Sequence, residues 1–330
     1  MDFTDLVDLV SEKLGGAVLV ANDEFFAPKE NLLKATSPVF LEGEYTDRGK
    51  WMDGWETRRR RTPGYDWCII RLGLPGIVRG VVVDTSYFRG NYPEHCSLEA
   101  CALEGQPAPE DLTNESVKWI PILAQLPLAG DTQNPFPINS EERFTHLRFK
   151  IYPDGGVARL RVYGEVLPDW NKLQRGNIDL AAVENGGLVL GCSDMFFGHR
   201  HNLIMPGRAL NMSDGWETKR RRGPGHDWVI IKLGAPGQVR RVEVDTSFFR
   251  GNFPESCSLD ASNAVGLTLE SLTDLSAAWN NILPRTKLQA HTRHFFDQEL
   301  LDSGTVSHLR FNIFPDGGVS RLRVYGEMAE

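Results

Sequence analysis

The densest polar chemistry in this sequence lies in Asp84-Thr85-Ser86, Phe88-Arg89-Gly90-Asn91 and Pro93-Glu94. It recurs as Asp245-Thr246-Ser247, Phe249-Arg250-Gly251-Asn252 and Pro254-Glu255. Each run follows an apolar stretch, Val81-Val82-Val83 or Val242-Glu243-Val244. A strand that delivers carboxylates, hydroxyls, a guanidinium and an amide into one loop is a candidate ligand cradle. The competing reading is a hydrogen-bonded corner that both copies need in order to fold. His146 and His308 are the histidines at equivalent places in both copies, and Arg148 and Arg310 follow them on the same strand face. Imidazole is the side chain best matched to proton transfer near neutral pH.

Two basic runs, 58–61 and 219–222, follow an Asp-Gly-Trp-Glu-Thr motif at 53–57 and 214–218. Guanidinium pairs bidentately with carboxylate, so these runs read as an anion site or as an edge paired with acids such as Glu56 and Glu217. Four basic residues are a small footprint for nucleic acid. His199-Arg200-His201 and His291-x-x-His294 occur in the second copy only and lack an evident carboxylate partner, so no metal is expected there. Gly-x-Ser-x-Gly, phosphate-loop and His-Glu-x-x-His patterns do not occur, and Asp-Gly-Gly at 154–156 and 316–318 is turn chemistry.

The elements that position these residues come in duplicate. Residues 53–99 align without gaps to 214–260, with 34 of 47 identical, and residues 146–165 align to 308–327 with 17 of 20 identical. The first copy carries ten extra residues around 29–50. A period near 160 makes two whole domains rather than solenoid units. The expected domains are 1–170 and 171–330, with the boundary near 168–176. Short β-branched and aromatic runs punctuated by Gly and Pro predict strands. The block 146–165 reads as a hairpin turning at Pro153-Asp154-Gly155. Alternation sets Leu147, Phe149 and Ile151 against His146, Arg148 and Lys150, then Leu160 and Val162 against Arg159, Arg161 and Tyr163. Helical periodicity is expected at 2–14 and 270–280. The fold class is all-β, one sandwich per repeat.

Composition narrows the function. The chain has 330 residues, 41% hydrophobic and 24% charged, typical of a globular protein rather than a disordered or membrane-spanning one. Its 36 Lys+Arg against 44 Asp+Glu give a net charge of −8, which disfavours a nucleic-acid partner. Five cysteines form no zinc spacing, and the N-terminus has no signal-peptide pattern, so reduced thiols and a cytoplasmic protein are expected.

The duplicated Asp-Gly-Trp-Glu-Thr motif with its arginines, the 83–94 segment and the 146–165 block resemble the allantoicase family, over nearly the whole chain and in the same tandem order. The resemblance implies two jelly-roll β-sandwiches of the galactose-binding-like type, a homo-oligomer, and a hydrolase of linear amidines. That hydrolase cuts allantoate to ureidoglycolate and urea in allantoin breakdown. The Asp/His motifs that hold paired manganese ions in related-sounding ureohydrolases do not occur here, so no cofactor and no essential metal are expected. A site for allantoate must neutralise a carboxylate, hold two planar ureido groups, protonate departing urea and activate water. On this reading Arg89, Arg148, Arg250 and Arg310 suit the carboxylate, and Asn91 and Asn252 the ureido edges. Asp84, Glu94, Asp245 and Glu255, with His146 and His308, supply the acid and base.

Overall fold

A computed structural model describes residues 2–329 except 104, 106, 171–175 and 275–277; the expected boundary therefore lies partly outside the described residues. The chain divides into two compact units, Met1–Leu167 and Pro168–Glu330. Each unit is an antiparallel β-structure. In the first, the strands run Val7–Asp8, Arg159–Val166, Asp66–Asp84, Arg143–Tyr152, His95–Cys101 and Ile120–Pro127, and Ala17–Ala21 and Gln133–Pro137 also pair with Asp66–Asp84. The second repeats this order with Ile178–Asp179, Arg321–Met328, Asp227–Asp245, Val306–Phe314, Ser256–Ser262 and Asn280–Lys287.

The strand Asp66–Asp84 decides the layout. Its first half pairs with Arg143–Tyr152, Asp66 opposite Ile151, and its second half pairs with Arg159–Val166, Asp84 opposite Arg159. The chain therefore leaves the end of the sandwich that holds the 153–156 turn, bends near Gly73 to Gly76, and returns to it. Tertiary layers of this kind bury one face of each half. Leu147, Phe149, Ile151, Leu160 and Val162 fill the interior, on the strand parity that alternation predicts.

Two features differ from simple periodicity. Residues 2–14 form two short 3-10 turns and the strand Val7–Asp8, not a helix. Val7, Leu9 and Val10 are buried, and pairing Val7–Asp8 with Tyr163 and Gly164 satisfies the backbone at the sheet edge. The helix expected at 270–280 is the short Leu269–Thr273; residues 275–277 lie outside the described residues. Arg159 has outward parity yet is 2% exposed, and its second-copy counterpart Arg321 is 3% exposed, because each is capped by the aspartate that opens the Asp-Gly-Trp-Glu-Thr motif, Asp53 or Asp214. Arg159 Nε donates to Thr36 O at 2.9 Å, and its Nη2 to Asp53 Oδ2 at 2.6 Å. Burial pushes the Asp53 carboxyl up, but hydrogen bonds from Arg159, Lys34 and the Val39 amide outweigh that and hold it below its usual range.

Each unit also anchors its N-terminal strand through a half-buried aspartate. Asp8 Oδ1 accepts the amides of Val162 and Val10 at 3.0 and 3.3 Å, with Arg161 Nε 3.7 Å from Oδ2. Asp179 does the same with Val324 and Ala181 at 2.9 and 3.2 Å, facing Arg323 at 3.6 Å. Burial pushes both carboxyls up to about 6, against the opposing pull of these arginines and amides. The folded state then binds a proton more tightly than the unfolded chain. The stability this gives is complete below about 4 and is lost as pH rises through about 6. Asp8→Asn with Asp179→Asn keeps the amide acceptors and removes the buried charge. Thermal melts should show the double variant more stable than wild type at pH 8, by about 1–3 kcal/mol, with no gain at pH 4. Equal destabilisation at both pH values would contradict this account.

Candidate active site

Three duplicated segments meet at the end of each sandwich where the hairpin turns. Trp55–Glu56 pairs with Gly156–Val157, and Trp216–Glu217 with Gly318–Val319. Thr57 N–H donates to Gly155 O at 3.1 Å, and the Gly155 N–H donates back to Thr57 Oγ1 at 3.1 Å. Gly156 N–H donates to Asn91 O at 2.7 Å, fixing the Arg-Gly-Asn turn against the hairpin. In the second unit Thr218 and Gly317 exchange the same two bonds, and Gly318 N–H donates to Asn252 O at 2.8 Å. No side chain fits at the junction. A Cβ on Gly156 would stand 1.9 Å from Phe88, and one on Gly318 equally close to Phe249.

The junction creates a polar pair. Trp55 and Trp216 point into the core, so alternation turns Glu56 and Glu217 outward. Asn91 Nδ2 donates to Glu56 Oε1 at 2.7 Å, and Asn252 Nδ2 donates to Glu217 Oε1. Partial burial pushes both carboxyls up, offset only in part by the asparagine bond. A glutamic acid so placed can give a proton to a leaving group and take one back. Neither glutamate was expected as a site residue. Sequence reasoning offered them as partners for the arginines, whereas the structure gives those arginines other acids. Arg58 pairs with Asp23 at 2.6 Å, Arg60 with Asp66 at 2.7 Å, Lys219 with Asp194 at 3.4 Å and Arg221 with Asp227 at 2.5 Å. The available signal was the alternation itself, which sends Glu outward beside an inward Trp.

The residues picked from the sequence fall into two groups. Asp84, Arg89, Asn91 and Glu94, with Asp245, Arg250, Asn252 and Glu255, sit at the junction end. Asp84 and Asp245 are buried, and each accepts the amide two residues on, Ser86 or Ser247, at 2.8 Å, which shapes the turn. Glu94 is exposed; Glu255 accepts from Ser256 Oγ and Arg285, which together hold it below its usual range. His146 and His308 are not brought to this corner. His146 lies opposite Cys101 and Arg71, whereas Tyr152 lies opposite His95 beside Glu94. Six residues of strand, about 20 Å at about 3.3 Å each, therefore separate His146 from the junction. Its Nδ1 shares a hydrogen with Thr145 Oγ1 at 2.9 Å, and burial with Arg71 pulls its pKa down. His308 bonds Ser307 in the same way, and burial beside Lys232 pulls it down to about 4. Arg148 is spent on Glu99 at 2.5 Å, and Arg310 stacks over Trp228 at 5.2 Å.

The two corners differ in charge at the matched position Asp131 and His291. Tyr87 and Phe248 hold left-handed backbone, φ 68° and 72°, and so do Asp131 and His291, φ 53° and 50°. Such strain in bulky residues costs of order 1 kcal/mol or more each and gathers at functional sites. In the first unit Asp131 Oδ1 accepts the Tyr87 amide at 2.7 Å and its Oδ2 pairs with Arg89 Nε at 2.9 Å. In the second unit His291 Nδ1 accepts the Phe248 amide at 2.7 Å, and no ion pair forms to Arg250 among the described residues. His294 is committed on both nitrogens, to Gln289 N at 2.8 Å and Val244 O at 3.1 Å, so it does not act with His291 as a ligand pair.

Two clefts at non-equivalent places of the two units differ in charge. One of about 340 Å³ in the second unit is lined by Ser193, Asp194, residues 219–223 and Asp227, four cations against two carboxylates. One of about 480 Å³ in the first unit is lined by residues 24–30 and 46–48, three carboxylates against two cations. A small anion is favoured in the former.

The model of the family described as "Allantoicase repeat" matches residues 7–167 and 178–329. An allantoicase of Dictyostelium discoideum is 52% identical over 97% of this chain and 87% of its own length. A probable allantoicase of Pseudomonas aeruginosa is 49% identical over 98% of this chain and 96% of its own. Among solved structures, the crystal structure of allantoicase from Saccharomyces cerevisiae superposes with a TM-score of 0.82 at 38% identity, covering 97% of this chain and 92% of that one.

The junction yields a direct check. Gly156→Ala and Gly318→Ala should each lower stability by about 1–3 kcal/mol, read from urea denaturation midpoints. Midpoints equal to wild type would contradict the close approach of Phe88 and Phe249.

Proposed function

The chain belongs to the allantoicase family, and we propose that the Glu–Asn pair at the hairpin junction carries the reaction. The protein hydrolyses allantoate to ureidoglycolate and urea. The bond from the α-carbon to one ureido nitrogen breaks, and its electron pair leaves with that nitrogen, which takes a proton. The oxygen of water bonds to the same carbon and gives up a proton. An acyl-imine route and a direct displacement both move one proton to urea and one away from water. On the acyl-imine route the retained ureido N–H also gives up a proton as its C=N bond forms and regains one when water adds, and a single carboxyl on the face that urea leaves can carry these transfers. Glu217 is that carboxyl, and Glu56 holds the matched place in the first repeat. The asparagine amide hydrogen-bonds the glutamate and presents its carbonyl oxygen to a planar ureido edge; in the second unit its other N–H meets Met212 Sδ at 3.6 Å.

The observation that carries this reading is the carboxyl raised by burial and held by asparagine where three duplicated segments converge. His146 and His308 lie a strand length away and serve the fold. The same family membership and the acidic charge support a homo-oligomeric cytoplasmic enzyme without a nucleic-acid or membrane partner; among the described residues no helix is long and apolar enough to cross a membrane. Purified protein should release urea and ureidoglycolate from allantoate in equal amounts. Glu56→Gln with Glu217→Gln should lower kcat by about 10²–10⁴-fold. His146→Asn with His308→Asn should leave kcat/KM of the folded fraction within about twofold. Full activity in the glutamine variant, or its loss in the histidine variant, would overturn the assignment.

A further inference from the structure

Resting on that reading, we propose that only the second repeat is catalytic, with Arg250 and His291 binding the substrate beside Glu217, and that the first repeat is a self-neutralised copy. The backbone around the two corners is the same. Thr85 and Thr246 each donate to a loop carbonyl, Ala129 O or Gln289 O, and Asp131 N and His291 N donate to Phe88 O and Phe249 O at 3.1 Å. Position 291 therefore stands beside Arg250 as Asp131 stands beside Arg89.

What differs is the charge. In the first repeat the Asp131 carboxylate lies on the guanidinium of Arg89 at 2.9 Å, in the place where a substrate carboxylate would lie. It both occupies Arg89 and repels an anion. In the second repeat the same place holds an imidazole whose Nδ1 accepts the Phe248 amide. That bond puts the ring hydrogen on Nε2, on the far side of an exposed residue. Arg250 then offers its guanidinium to the substrate carboxylate, and the His291 Nε2–H is a neutral donor for a ureido carbonyl, as a fixed imidazole serves elsewhere. Glu217 keeps the proton-transfer role. A second observation agrees: the extra segment of the first repeat stacks Phe40 on Tyr87, centroids 5.7 Å apart, whereas among the described residues the ring contact of the matching Phe248 is with His291, at 5.8 Å.

The full-length chain supplies the test. Titration calorimetry of allantoate into Glu56→Gln with Glu217→Gln should give one molecule per chain; two would overturn the proposal. Arg250→Gln should lower kcat/KM for allantoate about 10- to 100-fold, mainly through KM, while Arg89→Gln stays within about twofold. His291→Asn keeps an acceptor for the Phe248 amide and loses only the outer N–H. It should cost about tenfold at an unchanged melting temperature. His291→Asp, which installs the carboxylate of the first repeat, should cost more. Equal losses for Arg89→Gln and Arg250→Gln overturn this assignment alone; absence of turnover by the wild-type chain overturns the assignment and the activity together.

Discussion

The architecture of the site depends on two glycines that have no room for a side chain. Gly155 and Gly156 let the hairpin lie directly on the backbone of the Arg-Gly-Asn turn, where a Cβ on Gly155 would be 2.7 Å from Asn91 O. Gly155 holds φ +139°, a conformation that L side chains rarely adopt. Because the backbones touch, Gly156 reaches Asn91 O, Thr57 reaches Gly155, and the Asn91 amide arrives at Glu56. Widening this contact by one methyl group would separate the carboxyl from the amide. Gly317 and Gly318 impose the same constraint in the second unit.

Much of this was legible in the residues. The duplication, the all-β class, the hairpin at 153–155 and the inward parity of Leu147, Phe149 and Ile151 follow from identity, turn chemistry and alternation. The convergence of side chains was not legible. His146 reads as an active-site histidine when judged by its neighbours in sequence. Its position depends on the strand Asp66–Asp84 bending back, which carries position 71 to the end opposite the junction. Arg159 and Arg321 read as solvent-facing, and only the folding of Asp53 and Asp214 over them explains their burial. Glu56 reads as a partner for the adjacent arginines, and only the hairpin contact turns Asn91 toward it.

Duplication made the shared scaffold conspicuous and hid the difference that decides chemistry. Asp131 and His291 lie outside the long identical blocks, in loops of unlike sequence that the same threonine and backbone bonds hold in place. An ion pair on an exposed surface contributes little to stability, so exchanging Asp131 for histidine at the equivalent place leaves the fold intact. It changes whether the neighbouring guanidinium is free.

The central claim is that Glu217, held by Asn252, moves the protons. The pH dependence of kcat/KM tests this most directly, measured from urea release by the wild-type chain and by Asn252→Ala. The asparagine bond opposes the upward push of burial on Glu217. Its removal should therefore shift the controlling ionisation, already above the ordinary glutamate value of about 4.3, further upward. An ionisation that stays in place when Asn252 is removed would contradict the account.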